Sequence, residues 1–330
     1  MTSINTVLEG KPRLLLVEPD AKHLRSLTRT LRATVGAVDS RESLDGLPEV
    51  GEFDLVVANY DTMPLEQRRA LMDKYGGEHS KTRVLLLSAG DATSDYVDLF
   101  REHSLTNLVA KNNFEVDTEE LIVTTRKILD HDIFGIEKYF IWGVRPAKMI
   151  VTKSTDKAEV VAAADEYAKS LGVNPRFASL FSSVADEFCT NAVYNAPLDR
   201  NGRHRFADKS RTGLVALDPG EEIEVKFCCD GRRLGISTSD PFGSLKTTEL
   251  LEYLSKCLRK GEDQVDSKEG GAGLGFYYIF DSLSHFVVNL RPGKMTEMIG
   301  IIDIRGTFRE FSGKHKSFNV FSVGEGLGGA

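Results

Sequence analysis

Between Lys11 and Asp130, short runs of consecutive apolar residues alternate with longer stretches whose apolar positions recur at helical spacing. Arg13–Val17, Phe53–Ala58, Arg83–Leu87 and Asn107–Ala110 read as strands, and Val35–Val38 as a weaker one. A strand apolar at every position must be buried on both faces, and the lengths between these strands suit helical crossovers. The pattern therefore predicts an α/β domain over residues 11–130, a doubly wound parallel sheet with helices on both sides.

Beyond Asp130 the pattern changes. Residues 131–156 hold Phe134, Tyr139, Phe140, the single tryptophan Trp142 and Arg145-Pro146, and are expected to form a linker whose aromatic residues serve packing. His131 reads as an ordinary exposed histidine, since no long helical-hairpin pattern surrounds it. Lys157–Leu171 is amphipathic, with Val160, Val161, Ala164, Tyr167 and Leu171 on one side; Gly172 stops it and Pro175 opens the next helix. Glu222–Ser239 alternates about Asp230-Gly231 as two strands, Thr247–Arg259 reads as a helix, and Leu274–Leu283 as another. His285–Leu290 and Met295–Ile304 flank Arg291-Pro292-Gly293-Lys294, a hairpin signal. These elements predict a two-layer α/β sandwich over residues 157–312, with helices on one face of a mixed sheet. Residues 313–330 end in a glycine-rich run and are expected to be a flexible tail.

Composition narrows the function classes. A chain of 330 residues accommodates two cores. With 28% charged residues and a net charge of −7 it is acidic, which disfavours nucleic-acid binding; the arginines between Arg200 and Arg211 read as a solvated loop. No apolar run approaches the roughly 20 residues a membrane span needs, and the N-terminus lacks a leader pattern, so the expectation is a cytoplasmic protein without membrane insertion. Cys189, Cys228, Cys229 and Cys257 lack metal-site spacing and read as reduced packing residues.

Three stretches carry candidate chemistry. In Val184–Asn195, VADEFCTNAVYN, the residues Glu187, Asn191 and Asn195 recur every four positions, drifting only about 40° per step on a regular helix beside the apolar arc of Leu180, Val184 and Phe188. A carboxylate there can orient or deprotonate a nucleophile. An amide oxygen one turn on can complete the shell of a magnesium ion that keeps most ligands from water and phosphates. The alternative is a surface helix with ordinary asparagines. Ser239-Asp240-Pro241-Phe242-Gly243 ends the second strand, where an acid can accept a hydrogen bond from an adenine amino group. Gly270-Gly271-Ala272-Gly273-Leu274-Gly275 precedes a helical pattern, so bare N–H groups and a helix N-terminus can meet phosphate oxygens. Lys260 and Lys268, in the polar loop before the glycines, are either phosphate partners or solvated.

In that order these stretches resemble the N, G1 and G2 boxes of the GHKL ATP-binding superfamily, over roughly Lys157 to Ile304. Glu187–Val193, EFCTNAV, is most similar to the anti-sigma-factor serine kinase branch. The resemblance implies a sandwich of the GHKL (Bergerat) type with ATP and Mg2+ as cofactors. It implies Glu187 as general base, Asn191 as magnesium ligand and Asp240 as adenine acceptor. Gly271, Gly273 and Gly275 would serve the phosphate loop and lid hinge, with Asn195, Gly243, Leu274 and Lys268 lining the cofactor site. One departure stands out: the usual glycine two residues after the acid is Phe242 here, and the glycine follows at Gly243.

Residues 11–130 resemble a response-regulator receiver domain, which is flavodoxin-like, on LLLVEPD, DLVVANYDTMP, LLLSAG and LVAK at the four strand ends. The match implies a pocket of Glu18, Asn59, Ser88 and Lys111. Pro19 replaces an acidic neighbour, Asn59 stands where the phosphoacceptor aspartate belongs, and Asn112 replaces the usual proline. An amide cannot form an acyl phosphate, so the domain reads as a pseudo-receiver; Asp61 would substitute only with the strand end shifted by two residues.

The expected function is a bacterial-type signalling protein that binds Mg-ATP and phosphorylates a serine or threonine of a partner protein, with the pseudo-receiver for regulation or contact. A non-catalytic ATP-gated binding module and a slow ATPase are the alternatives, and a homodimer is compatible with each.

Overall fold

The computed structural model describes residues 11–44, 46–76, 80–90, 105–113, 115–206, 209–210, 213–259 and 279–324. The chain divides into two compact units: residues 1–132 with Ser317–Asn319, and Ile133–Lys316 with the residues from Val320 onward.

The first unit contains β1 (Arg13–Val17), α1 (Ala21–Thr34), β2 (Ala37–Arg41), β3 (Leu55–Asn59), α2 (Leu65–Tyr75), β4 (Arg83–Ser88), β5 (Asn107–Asn112), the short β6 (Glu115–Val116) and α3 (Thr118–Asp130). Its parallel strands run in the order β2-β1-β3-β4-β5, the flavodoxin-like order of doubly wound sheets. The apolar runs behave as their pattern requires: Leu14–Leu16, Leu55–Ala58 and Leu85–Leu87 are buried throughout. The weak strand forms slightly later than its apolar residues suggest, at Ala37–Arg41. Asp20 caps α1, accepting from Lys22 N at 2.9 Å and His23 N at 2.8 Å. Ser317–Asn319 adds an antiparallel strand to β5, pairing Phe318 with Leu108 and Asn319 with Asn107.

The second unit contains β7 (Ala147–Val151), α4 (Asp156–Ser170), α5 (Pro175–Thr190), a π-turn (Asn191–Asn195), β8 (Ile223–Cys229), β9 (Arg233–Asp240), α6 (Thr247–Arg259), β10 (His285–Arg291), β11 (Met295–Asp303), α7 (Phe308–Ser312) and, from Val320, the end of β12 (Ser317–Ser322). The strand pairs in the order β10-β11-β9-β8-β7 are antiparallel. Helices α4 and α5 pack together on one face, where Phe181 meets Phe227 at 5.7 Å and Phe188 meets Phe286 at 6.2 Å between ring centroids. Gly300 permits this approach, since a Cβ there would lie 3.3 Å from the Phe188 ring and 2.9 Å from Leu283.

The other face is covered as well, by the segment expected to be a linker. Ile133, Ile136, Tyr139 and Phe140 are buried, and a Cβ at Gly235 would come within 2.4 Å of the Phe140 ring. Gly135 N–H and Asn289 Nδ2 both donate to Glu297 Oε2, at 2.9 and 2.7 Å, tying this strap to the sheet. Residues 131–156 thus contribute a strap and the strand β7 to the second unit. Trp142, expected to pack, is instead 100% exposed. Residues 313–330 likewise hold β12, where alternation was too short to register in the sequence; Val320 and Phe321 are buried and Val323 N–H donates to Leu290 O at 3.0 Å. No helix among the described residues is long and apolar enough to cross a membrane.

Candidate functional site

Helix α5 begins where its sequence directs. Asn174 Oδ1 accepts from Arg176 N at 2.9 Å and Pro175 sits in the first turn, where no backbone donor is needed. Of its expected apolar arc, Val184 and Phe188 are buried while Leu180 is only half-buried, and Phe177 and Phe181 complete the buried face. The adjacent acids divide. Asp186 turns to α4 and pairs with Lys157 Nζ at 2.9 Å, while Lys157 also donates to Thr190 Oγ1 at 3.2 Å. Glu187 is half-buried, one turn ahead of Asn191.

The regular helix expected through Asn195 ends at Thr190. Asn191–Asn195 forms a π-turn closed by Ala196 N–H on Asn191 O at 3.0 Å, a local widening that recurs at functional sites. Asn191 is 6% exposed; its Oδ1 accepts from Asn195 Nδ2 at 2.8 Å, and its buried Nδ2 meets no acceptor among the described residues. Asn195 therefore touches Asn191, a contact that four-residue spacing alone did not specify.

The alternation of β9 decides where Asp240 points. Ile236 lies opposite Gly300, which faces α5, and the even-numbered positions share that face through Asp240. The π-turn packs against β9 on this side. Asp240 is 3% exposed. One oxygen, Oδ1, accepts from Phe242 N at 3.0 Å and Gly243 N at 3.3 Å. Burial dominates over these donors and over the hydroxyl of Thr296, and pushes the carboxyl up to about 7. No cation pairs with it among the described residues. Thr296, directly across from Asp240 on β11, is a buried polar neighbour that nothing in the sequence pattern singled out, because a threonine is an ordinary strand residue.

Gly243 has φ +56°, and a Cβ there would lie 2.4 Å from Arg291 O and 2.5 Å from Lys294 N. It lets the turn after Asp240 press on the β10–β11 turn, with Gly293 N–H donating to Gly243 O at 3.0 Å. Phe242, two residues after Asp240, has its ring 6.0 Å from the guanidinium of Arg205. Arg205 is held by Asp218, at 2.7 Å, and by Glu221. The loop expected to be solvated is therefore latched beside the Asp240 turn through Arg205. Lys268, Gly271, Gly273, Leu274 and Gly275 lie outside the described residues. Among the described residues no group of three or more histidine, cysteine, aspartate or glutamate side chains is placed to hold a metal ion.

The strand ends of the first unit bring Glu18, Asn59 and Lys111 together. Asn59 Nδ2 donates to both Glu18 oxygens at 3.0 Å, and Lys111 Nζ lies 3.3 Å from Glu18 Oε2. All three are buried. Ser88 is drawn to another partner: its Oγ donates to Asp61 Oδ1 at 2.6 Å, and Ala89 N–H donates to Asp61 Oδ2 at 2.5 Å. Strand β3 ends at Asn59 with no shift in register, so Asp61 acts as an acceptor for the end of β4 and its following loop.

No protein-family model matches the chain, and no curated protein sequence matches it. Among solved structures, the response regulator DrrB of Thermotoga maritima, an OmpR/PhoB homologue, is similar at 19% identity over 37% of this chain, with a TM-score of 0.29. The chain spans 54% of that protein's length. A pilus assembly-related protein of Burkholderia pseudomallei is similar at 17% identity over 37% of this chain and 91% of its own, with a TM-score of 0.30. A CpaE pilus assembly protein of Burkholderia thailandensis is similar at 16% identity over 36% of this chain and 98% of its own, also with a TM-score of 0.30.

Proposed function

We propose that the second unit is a GHKL-type module that binds Mg-ATP, and that the protein phosphorylates a serine or threonine of a partner in a bacterial-type signalling pathway. One observation carries the reading: the Asp240 carboxyl is buried at a strand end, on the helix-covered face, with no cation beside it among the described residues. A buried ionisable group without a counter-charge is costly and clusters at functional sites. A purine amino group would supply a further donor, to the carboxyl oxygen that Phe242 N and Gly243 N do not reach. The amide oxygen of Asn191, which accepts from Asn195 in the buried π-turn, has a second lone pair that would serve a magnesium ion drawing its remaining ligands from water and phosphates.

Bound Mg-ATP supplies the transferable γ-phosphoryl group. The chain's own residues do the rest: Asp240 selects the base, the amide of Asn191 holds the cation, and Glu187 takes the proton from the partner's hydroxyl oxygen. The first unit supports a second reading, an ATP-gated binding module. Its pocket has Asn59 where a phosphoacceptor would stand, and Lys111 already pairs with Glu18, so this unit suits contact rather than phosphate relay.

Following γ-labelled ATP with the full-length protein and its co-purified partners separates the readings. Label on partner serine or threonine supports the kinase, free phosphate a slow ATPase, and ATP binding without turnover the binding module. Glu187→Gln is expected to keep ATP affinity while lowering transfer by about 10² to 10⁴. Absence of ATP binding by calorimetry in wild type would remove the nucleotide assignment.

A further inference from the structure

Strand β9 carries an inference that rests on the Mg-ATP reading. Ile236, Thr238 and Asp240 form a row on its α5 face. Thr238 is 2% exposed, and the residues opposite it on the neighbouring strands, Val225 on β8 and Met298 on β11, are apolar and buried. Its Oγ1 has no hydrogen-bond partner among the described residues. A hydroxyl taken out of water without a partner is costly, and valine would fill the same space at no such cost. The position is one pleat inward from Asp240, on the face against which α5 and the π-turn pack. Ser237 is also buried with no partner for its Oγ among the described residues, but it lies on the opposite face, toward the strap.

Asp240 can meet only part of a purine's edge. Its Oδ1 is taken by Phe242 N and Gly243 N, which leaves Oδ2 to accept from an amino group. The ring nitrogen beside that amino group, N1 of adenine, is an acceptor and needs a donor. A carboxylate has none to give, whereas a threonine hydroxyl on the same face has one. We propose that Thr238 is a specificity-determining residue of the base site: its hydroxyl donates to N1 while Asp240 accepts from the amino group. The pair then reads a 6-aminopurine. A 6-oxopurine presents the inverse arrangement, and its acceptor oxygen would face the carboxylate.

The full-length protein is titrated with nucleotide in MgCl2 by calorimetry at pH 8, above the value of about 7 to which burial pushes the Asp240 carboxyl, so that the carboxyl itself is not the donor. Thr238→Val keeps the shape and removes the hydroxyl; it is expected to bind ATP about tenfold more weakly, the effect of losing one neutral hydrogen bond. Thr238→Ser keeps the hydroxyl and is expected to stay within about twofold of wild type. The analogue 1-deaza-ATP, which lacks N1, is expected to bind wild type about tenfold more weakly than ATP and to lose nothing further in Thr238→Val. Ser237→Ala, on the other face, is the control and is expected to bind ATP as wild type does. A loss in Thr238→Val that is equally large for ATP and 1-deaza-ATP overturns the proposal, as does an equal loss in Ser237→Ala or Thr238→Ser. If wild type binds no Mg-ATP, the nucleotide reading falls and this proposal falls with it. Normal wild-type binding with Thr238→Val unmoved overturns this proposal alone.

Discussion

Burial raises the Asp240 carboxyl from its ordinary 3.8 to about 7, so the folded protein holds a proton there over a pH range in which the unfolded chain has released it. The resulting stabilisation is fully present below about pH 4 and is lost as pH rises through about 7. Its ceiling is about 4 kcal/mol, at 1.36 kcal/mol per pKa unit. Because other carboxylates titrate in the same range, the readout is a difference: wild type and Asp240→Asn are unfolded in urea between pH 4.5 and 8. Wild type is expected to lose stability relative to the variant as pH rises. Parallel curves would show that the carboxyl is not buried as described. At the same scale, Asp240 was legible from its place after an alternating run, whereas the partners of Ser88 were not. The hydroxyl stands at the expected strand end, but Asp61, two residues past Asn59, reaches it only through the path of the loop after β3.

Elements explain why some residue types are required. On β9 the even positions face α5 and the odd positions face the strap, so Gly235 lies under Phe140. Adding a methyl group places a carbon 2.4 Å from that ring, and overpacking of this kind costs about 1–3 kcal/mol. Gly235→Ala is therefore expected to lower the urea midpoint in wild type, even though alanine is ordinarily the better strand residue. In a Phe140→Ala background the same change is expected to be neutral or stabilising; an equal loss in both backgrounds would mean the strap does not press on the sheet. Helix α5 shows the limit of periodicity at this scale. Its start, its apolar arc and its three polar residues follow from the sequence, but the π-turn that ends it does not. One extra residue in a turn leaves the composition of the stretch unchanged, and the widened turn buries Ala192, Val193 and Tyr194.

At the scale of the whole chain, β12 joins distant sequence to both units. In the first, Ser317 Oγ accepts from Ala110 N at 2.9 Å and Phe318 is buried; in the second, Val320 and Phe321 are buried. Burying each such apolar side chain contributes about 1.5–3 kcal/mol. A chain ending at Lys316 is expected to melt several degrees below the full chain, while one ending at Gly324 melts with it. Equal melting of the two truncations would show that β12 does not contribute.

The sequence alone determined the buried parallel strands of the first unit and the hairpin strands and paired helices of the second. These follow from local rules: a run apolar at every position must be covered on both faces, and period 2 or 3.6 selects strand or helix. Tertiary structure decided what those rules do not reach. The strap over Gly235, the sharing of β12, the latch of Arg205 on Phe242 and the pairing of Asn195 with Asn191 depend on which surfaces meet. An aromatic residue at Phe140 or an arginine at Arg205 is equally compatible with solvent, packing or a partner until the opposing surface exists, and only the folded chain brings that surface within reach.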